Sequence, residues 1–165
     1  MPEEVFLSLG SNVERDKHIP AAIDELRSRF GPLTVSSIYE SEAVGFEGDP
    51  FYNLVVSFRT DTPVEEIAKI LTGIETSHGR TRECKKFAPR TLDIDLLLYG
   101  MHRIDQGRIK LPREEIVRYA FMLEPLAEIA PDLEHPTLGK TFALLWQEFD
   151  KALAHQHRIS PSSAK

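Results

Sequence analysis

The chain has 165 residues, of which 41% are hydrophobic and 28% are charged, and its formal net charge is −6. This composition predicts one globular domain without a general attraction to nucleic acid or to an anionic membrane. The single cysteine, Cys84, excludes a disulfide framework and a cysteine-based metal site. The start, Met1 to Glu4, lacks the basic region of a signal peptide, and no apolar run approaches membrane-spanning length, so we expect a cytoplasmic protein.

The first part of the chain predicts two strands separated by a helix. Alternating apolar residues at 5–9 predict a strand that ends at the turn Gly10-Ser11-Asn12. An apolar stripe predicts a helix that ends before Gly31, and a second strand follows Pro32. The next segment, residues 40–50, has the length of a loop that often carries function, although a plain surface connection is an equally good interpretation.

A third strand is predicted at residues 51–58, and one of its faces carries Phe51 and Asn53. An aromatic ring beside an amide suits a planar heterocycle, because the ring stacks on it and the amide forms hydrogen bonds with its edge. The alternative interpretation is that Asn53 marks an edge position of the sheet.

The second predicted helix leads into a basic loop. It begins at Thr62-Pro63-Val64-Glu65, which has the pattern of a capping box, and ends near Gly79, with Glu75 close to the loop. Residues 79–90 carry a net charge of +4. The cations are Arg80, Arg82, Lys85, Lys86 and Arg90, and the anion is Glu83. A positive segment on a negative chain favours the capture of a small polyanion, although solvated surface cations also give this pattern.

A strand with two aspartates follows the basic loop. Period-two alternation predicts one face with Leu92, Ile94, Leu96 and Leu98, and another face with Asp93, Asp95, Leu97 and Tyr99. Burying carboxylates is costly unless a counter-charge meets them, so the aspartates are a candidate site for hard divalent cations. With arginines and lysines nearby, they provide the parts of a phosphoryl-transfer site. The alternative is that both aspartates are solvated at a sheet edge.

The order of these elements is β-α-β-β-α-β, which predicts an α+β fold with a ferredoxin-like core, an antiparallel sheet and helices on its faces. After Gly100 we expect a small hairpin, a helical turn at 112–115, a helix at 121–130 and a last helix capped by Thr141. We expect residues 154–165 to form a flexible tail, which leaves residues 1–153 as a single domain.

Three segments of the chain resemble one family of enzymes. They are LSLGSN at residues 7–12, KFAPRTLDIDLL at residues 86–97 and FMLEPLAEIAP at residues 121–131. In these segments the chain is similar to 6-hydroxymethyl-7,8-dihydropterin pyrophosphokinase, an enzyme of folate biosynthesis. The resemblance implies transfer of pyrophosphate from ATP to the hydroxymethyl group of the pterin, with release of AMP. It also implies a ferredoxin-like core, two Mg²⁺ ions and small-molecule substrates, and we expect a monomer.

The resemblance also implies roles for particular residues. The implied catalytic residues are Arg80, Arg82, Arg90, Asp93 and Asp95, and the two aspartates are the implied magnesium ligands. The implied ATP-binding residues are Glu75, Arg82, Lys86, Phe87, Arg90, Leu96, Arg108 and Arg113. The implied pterin-binding residues are Ser41, Val44, Phe51, Asn53, Asp93 and Phe121, and the rings of Phe51 and Phe121 are expected to sandwich the pterin.

The chain departs from the family pattern around the nucleotide. Family members commonly have His after the proline matched by Pro112, where this chain has Arg113. They commonly have Arg two positions before the second stacking ring, where this chain has Tyr119, with Arg118 displaced by one position. We expect either that Arg113 and Arg118 supply the missing positive charge or that ATP binds more weakly than in relatives.

Two other functions fit single features of the chain. A ferredoxin-like RNA-binding domain would use the basic loop, but the sequence lacks the run of basic and aromatic residues that such domains place on the sheet, and its pI is near 5.5. A two-metal nuclease built on Asp93 and Asp95 would cleave phosphodiesters without ATP.

Overall fold

The computed structural model describes residues 2–41, 50–78, 92–153 and 156–158. In these ranges the strands are β1 (Glu3–Ser11), β2 (Thr34–Val35), β3 (Tyr39–Ser41), β4 (Phe51–Thr60), β5 (Asp93–Tyr99), β6 (Ile104–Gln106), β7 (Ile109–Leu111) and β8 (Gln156–Arg158). The helices are α1 (Arg15–Phe30), α2 (Val64–Ser77), α3 (Ala120–Ile129) and α4 (Phe142–Glu148), with short 3₁₀ turns at Glu114–Val117 and Lys151–Leu153. In the part of the chain that the structure describes, no helix is both long enough and apolar enough to cross a bilayer.

The core of the fold is an antiparallel sheet with strand order β5-β1-β4-β3-β8. Helix α1 follows β1 and helix α2 follows β4, which confirms the predicted β-α-β-β-α-β order and the ferredoxin-like core. The second predicted strand is split, because β2 and β3 pair with β4 as separate pieces. Between them, Ser37 N–H donates to the Glu128 carboxylate (3.1 Å) rather than to a strand.

Helices cover both faces of the sheet. Leu7, Leu9 and Leu54 pack with α1 and α2 on one face, which we call the α1/α2 face. Phe6 and Val55 pack with α3 and α4 on the other, the α3/α4 face. Because strand side chains alternate, a polar residue in phase with Phe6 or Val55 is directed to the α3/α4 face.

A bulge in β5 changes the predicted distribution of its side chains. The register with β1 shifts between Phe6 and Leu7, so that Leu98 pairs with Phe6 while Leu96 pairs with Leu7. Leu97 is the extra residue, and it shares the α3/α4 core with Leu98. The prediction that Leu98 lies with Leu92, Ile94 and Leu96, and that Tyr99 lies with the aspartates, is therefore wrong. The bulge follows Asp95, so both aspartates keep their common face.

The elements after Gly100 follow the predictions closely. Strands β6 and β7 form the expected hairpin. Helix α3 begins one residue before the predicted start and continues through Pro125. Thr141 caps α4, since its Oγ1 accepts a hydrogen bond from Leu144 N–H (3.2 Å).

Two local predictions are wrong. Helix α2 begins at Val64 with Pro63 at its cap position and without a side-chain cap hydrogen bond, so the capping box does not form. Part of the predicted tail, Gln156–Arg158, is an ordered strand, because its backbone pairs with the outer edge of β3. The single-domain division at residues 1–153 stays a prediction.

Candidate active site

A polar row crosses the sheet at the end of β1. Gly10 pairs with Asn53 of β4 on one side and with Asp93 of β5 on the other. One step along β1, Ser8 pairs with Asp95. These residues are in phase with Phe6 and Val55, so they continue the α3/α4 face where its apolar pattern ends. The predicted turn at Gly10 and Ser11 is wrong, because both residues belong to β1.

Gly10 leaves room for the side chains around it. A Cβ atom at this position would lie 2.9 Å from Asn53 Oδ1 and 3.9 Å from Phe51 Cδ1. Asn53 is buried, and its Nδ2 donates to Ser41 Oγ over 2.7 Å. Strand β4 lies inside the sheet, so the alternative interpretation of Asn53 as an edge position is wrong. The structure thus brings the predicted residues Ser41, Phe51 and Asn53 together beside Gly10.

Phe121 lies in the first turn of α3 and packs against the apolar core of the same sheet face. The ring of Tyr119 stacks on the Phe121 ring, with 5.1 Å between their centroids. Helix α3 packs against β3 and β4. Phe51 and Phe121 therefore belong to two walls, one of strand and one of helix, on the face that carries the polar row.

Asp93 and Asp95 present two carboxylates on this face, and the guanidinium group of Arg113 lies beside Asp95. Arg113 Nη2 is 3.4 Å from Asp95 Oδ1, and Arg113 Nε donates to Glu115 Oε2 (3.2 Å). In the described ranges, no group of three or more His, Cys, Asp or Glu residues is arranged to hold a metal ion. Two carboxylates nevertheless fit Mg²⁺, which commonly takes one or two protein carboxylates and completes its shell with phosphate oxygens and water.

A cavity of about 190 Å³ opens on the face of β5 opposite to Asp93 and Asp95. It is lined by the predicted nucleotide contacts Glu75, Leu96, Arg108 and Arg113, together with Ala68, Leu71, Thr72, Ile94, Ile109, Lys110 and Leu111. Glu75 Oε2 accepts a hydrogen bond from Ile94 N–H (2.8 Å), which fixes the end of α2 against β5. Arg113 lines the cavity and also contacts Asp95, so it lies between the cavity and the carboxylates.

The structure separates the two arginines that were expected to compensate for the family pattern. Arg113 N–H donates to Leu97 O (3.0 Å), and this hydrogen bond holds its backbone beside β5. Arg118 Nη2 instead donates to Glu114 Oε2 (2.9 Å), and both of these side chains are exposed. Only the first of the two arginines thus reaches the candidate site.

Six predicted site residues lie outside the described residues: Val44, Arg80, Arg82, Lys86, Phe87 and Arg90. Their roles stay predictions.

Sequence reasoning missed a polar cluster behind the β3 wall. The Glu128 carboxylate accepts hydrogen bonds from Ser37 Oγ (2.8 Å) and Tyr39 Oη (2.7 Å). Burial, and then the hydrogen bond to Glu128, raise the pKa of the Tyr39 hydroxyl, so Tyr39 stays a neutral donor. The available signal was the pair Glu124 and Glu128, two carboxylates one turn apart in a helix that is otherwise apolar.

A scan against protein families matches residues 6–131, most of the chain, to the model described as 7,8-dihydro-6-hydroxymethylpterin-pyrophosphokinase (HPPK). A Pseudomonas aeruginosa protein named 2-amino-4-hydroxy-6-hydroxymethyldihydropteridine pyrophosphokinase is 37% identical over 140 residues, which cover 82% of this chain and 86% of the relative. A Synechocystis protein of the same name is 39% identical over 150 residues, which cover 86% and 76% of the two chains.

The fold also resembles solved structures. A triple mutant of the Plasmodium falciparum HPPK-DHPS aligns with a TM-score of 0.71 at 14% identity. The alignment covers 90% of this chain and 42% of the Plasmodium chain, so the present chain corresponds to less than half of that protein. At this level of identity, the likeness shows the shared fold.

Proposed function

Because the chain belongs to the 7,8-dihydro-6-hydroxymethylpterin-pyrophosphokinase family, we propose that the two pockets flanking β5 hold the two substrates of its reaction. The chain transfers pyrophosphate from ATP to the hydroxymethyl group of 6-hydroxymethyl-7,8-dihydropterin, in folate biosynthesis. Neither the RNA-binding nor the nuclease alternative gains support from these relatives.

The row Asp93–Gly10–Asn53 is the observation that carries the placement of the pterin. A flat heterocycle over Gly10 meets no side chain from β1 and lies between a carboxylate and an amide. Asn53, held by Ser41, forms hydrogen bonds with the ring edge, and Phe51 and Phe121 stack on its faces. Val44 contributes from the adjoining segment.

The cavity lined by Glu75, Leu96 and Arg108 holds the nucleoside part of ATP. The apolar side chains that α2 and β5 contribute to this cavity suit a base, and the charged side chains at its margin are placed to orient the sugar and phosphates. Arg113 and Lys86 contribute positive charge for the phosphates, and Phe87 contributes to binding of the nucleoside. The triphosphate then extends past the N-terminal end of β5, where it reaches Asp93 and Asp95.

Asp93 and Asp95 would hold two Mg²⁺ ions, which would supply neutralisation of the phosphate oxygens and a lower pKa for the attacking hydroxyl. The two carboxylates fit this task because they are oxygen ligands on one face of a strand end, adjacent to both pockets. Arg80, Arg82 and Arg90 cover the charge that develops on the transferred group.

The chemical step exchanges one P–O bond for another. The pterin hydroxymethyl oxygen forms a bond to the β-phosphorus of ATP, and the bond from that phosphorus to the α,β-bridging oxygen breaks. AMP leaves with the bridging oxygen, and the hydroxyl proton passes to solvent. The chain's part is to align the two oxygens and to exclude water, because water attacking the same phosphorus would waste ATP.

The test is AMP release from ATP and Mg²⁺ with and without the reduced pterin. We expect pterin-dependent AMP release, which Asp93→Asn and Asp95→Asn each reduce by about 10²-fold or more while the apolar core stays intact. Asp105→Asn, at an exposed position of the β6–β7 hairpin, is the matched control and keeps full turnover. Retained turnover in both active-site variants would exclude the metal assignment.

We also propose a cytoplasmic monomer. Residues of a single chain line both pockets, so the reaction needs no second copy, and a single cysteine, which cannot form an intrachain disulfide, suits a reducing compartment.

A further inference from the structure

The C-terminal strand β8 connects the two walls of the candidate pterin pocket. It lies outside the region matched by the family model, which ends at residue 131. Its backbone extends the sheet beyond β3, with Gln156 paired to Ser41, Arg158 to Tyr39 and His157 to Glu40. Ser41 is the residue that holds the Asn53 amide. Strand β8 therefore backs the strand wall of the pocket.

The side chain of Gln156 reaches the opposite wall. Its Nε2 donates to Ala120 O (3.1 Å) and to Glu124 Oε1 (2.9 Å), both in α3. Ala120 directly precedes Phe121, so the hydrogen bond meets the helix at the turn that carries the ring. One residue thus joins the backbone opposite Ser41 to the backbone beside Phe121.

A second connection runs parallel to the first. Arg158 Nη2 donates to Tyr39 Oη (3.2 Å) and lies 3.8 Å from Glu128 Oε1. Tyr39 is in β3 and Glu128 is in α3, two turns after Phe121. This connection is more exposed at its arginine end, whose side chain is 51% accessible, so we assign it the smaller share.

We propose that Gln156 is a positioning residue that fixes the Phe121 ring relative to the Ser41–Asn53 wall and so sets the width of the pterin pocket. The proposal rests on the function proposed above, in which Phe121 and Asn53 contact the pterin. Gln156 acts through the position of α3, and it is not a contact of the nucleotide cavity.

The first experiment compares Gln156→Ala with Gln147→Ala, a matched control at an exposed position of α4. Dissociation constants are measured by calorimetry for 6-hydroxymethylpterin and for an ATP analogue with a methylene group at the α,β-bridge. We expect Gln156→Ala to raise the pterin Kd and the pterin KM by about 3- to 10-fold, because the two lost hydrogen bonds join parts of the protein and only part of their free energy reaches the ligand. The nucleotide Kd, kcat and every constant of Gln147→Ala stay within about twofold of wild type. An unchanged pterin Kd, or equal losses for both ligands, would overturn the proposal.

The second experiment introduces a negative charge at this contact, and it tests the proposal even if Gln156→Ala folds poorly. Gln156→Glu places a carboxylate against Glu124 and the Ala120 carbonyl, so it is expected to weaken pterin binding more than Gln156→Ala does. Adding Glu124→Gln restores an amide opposite the new carboxylate and recovers part of the affinity. Thermal denaturation checks that both variants are folded. If they are folded and the double variant recovers no pterin affinity, the proposal is also overturned.

Phe121→Ala separates this proposal from the pocket assignment. If Phe121→Ala leaves the pterin Kd unchanged, the assignment of the pocket itself fails. If Phe121→Ala weakens pterin binding and Gln156→Ala does not, the pocket stands and the positioning role alone fails.

Discussion

Gly10→Ala tests whether the space above β1 is the pterin site. The new Cβ would lie 2.9 Å from Asn53 Oδ1, about 0.5 Å inside the 3.4 Å of an ordinary contact. The neighbour is the end of a side chain, so the clash is relieved by moving the Asn53 amide. That movement weakens its 2.7 Å hydrogen bond to Ser41 Oγ.

The consequences for stability and for binding differ. Losing the Asn53–Ser41 hydrogen bond costs about 0.5–1.5 kcal/mol, and replacing glycine in a strand interior returns about 0.5–1 kcal/mol. We therefore expect the free energy of unfolding to stay within about 1 kcal/mol of wild type. The pterin loses the aligned amide and meets a methyl group, and one or two lost hydrogen bonds raise its Kd by about 10- to 100-fold.

Urea denaturation and calorimetry with 6-hydroxymethylpterin measure the two quantities. The matched control is Gly73→Ala in α2, where an added Cβ meets no atom within 4 Å. That control should gain about 1 kcal/mol of stability and keep the pterin Kd. If Gly10→Ala folds and binds pterin as tightly as wild type does, Asn53 is not a pterin contact.

Two further predictions concern the nucleotide and pH. Arg113→Ala should raise the Kd of the methylene ATP analogue by about 10- to 100-fold, because a charge-assisted contact with the phosphates is lost. Arg118→Ala should change this Kd by less than about twofold, because the partner of Arg118 is the exposed Glu114. Equal effects of the two variants in calorimetry would contradict this distinction. Burial lowers the pKa of His135, whose Nδ1 accepts hydrogen bonds from Thr137 N–H and Leu138 N–H (both 3.1 Å), so protonation is favoured in the unfolded chain. The free energy of unfolding should therefore fall as pH drops below the ordinary histidine pKa of 6.5, by at most about 1.4 kcal/mol per pH unit for this group. His135→Asn keeps an acceptor for both N–H groups and should flatten that slope between pH 7 and 5; an unchanged slope in denaturant titrations would contradict the assignment.

The core of the fold was predictable because its signal is local. Apolar residues recur with period two in β1 and β4 and along one stripe in α1 and α2, and these periods identify each element without knowledge of its neighbours. The pairing of Asp93 with Gly10 and Asn53 required the sheet, since the three residues come from distant segments. The sequence could identify each polar residue as a candidate, but it could not show that the three lie side by side across the sheet.

The bulge in β5 was not predictable from the pattern of the strand. Leu96, Leu97 and Leu98 are equally apolar, so nothing in the strand marks the residue at which the alternation resets. The register with β1 determines it, and that register depends on packing against both helical layers.

Strand β8 was missed for a related reason. Gln156–Arg158 is polar throughout, so it has none of the apolar alternation by which strands are identified. It is ordered by its partners, the edge of β3 and the first turns of α3. Polar edge strands of this kind are specified by tertiary contacts and are invisible to local propensity.

Counting bound metal tests most directly whether Asp93 and Asp95 bind two metal ions between the two pockets. Mn²⁺ in place of Mg²⁺ is titrated into the protein with 6-hydroxymethylpterin and the methylene ATP analogue, and free Mn²⁺ is followed by electron paramagnetic resonance, with the analogue alone as the blank. Wild type and Asp105→Asn should each bind two ions per chain, and Asp93→Asn and Asp95→Asn should each bind fewer. Two ions in both active-site variants, or fewer than two in wild type, would contradict the placement of the metals at the end of β5.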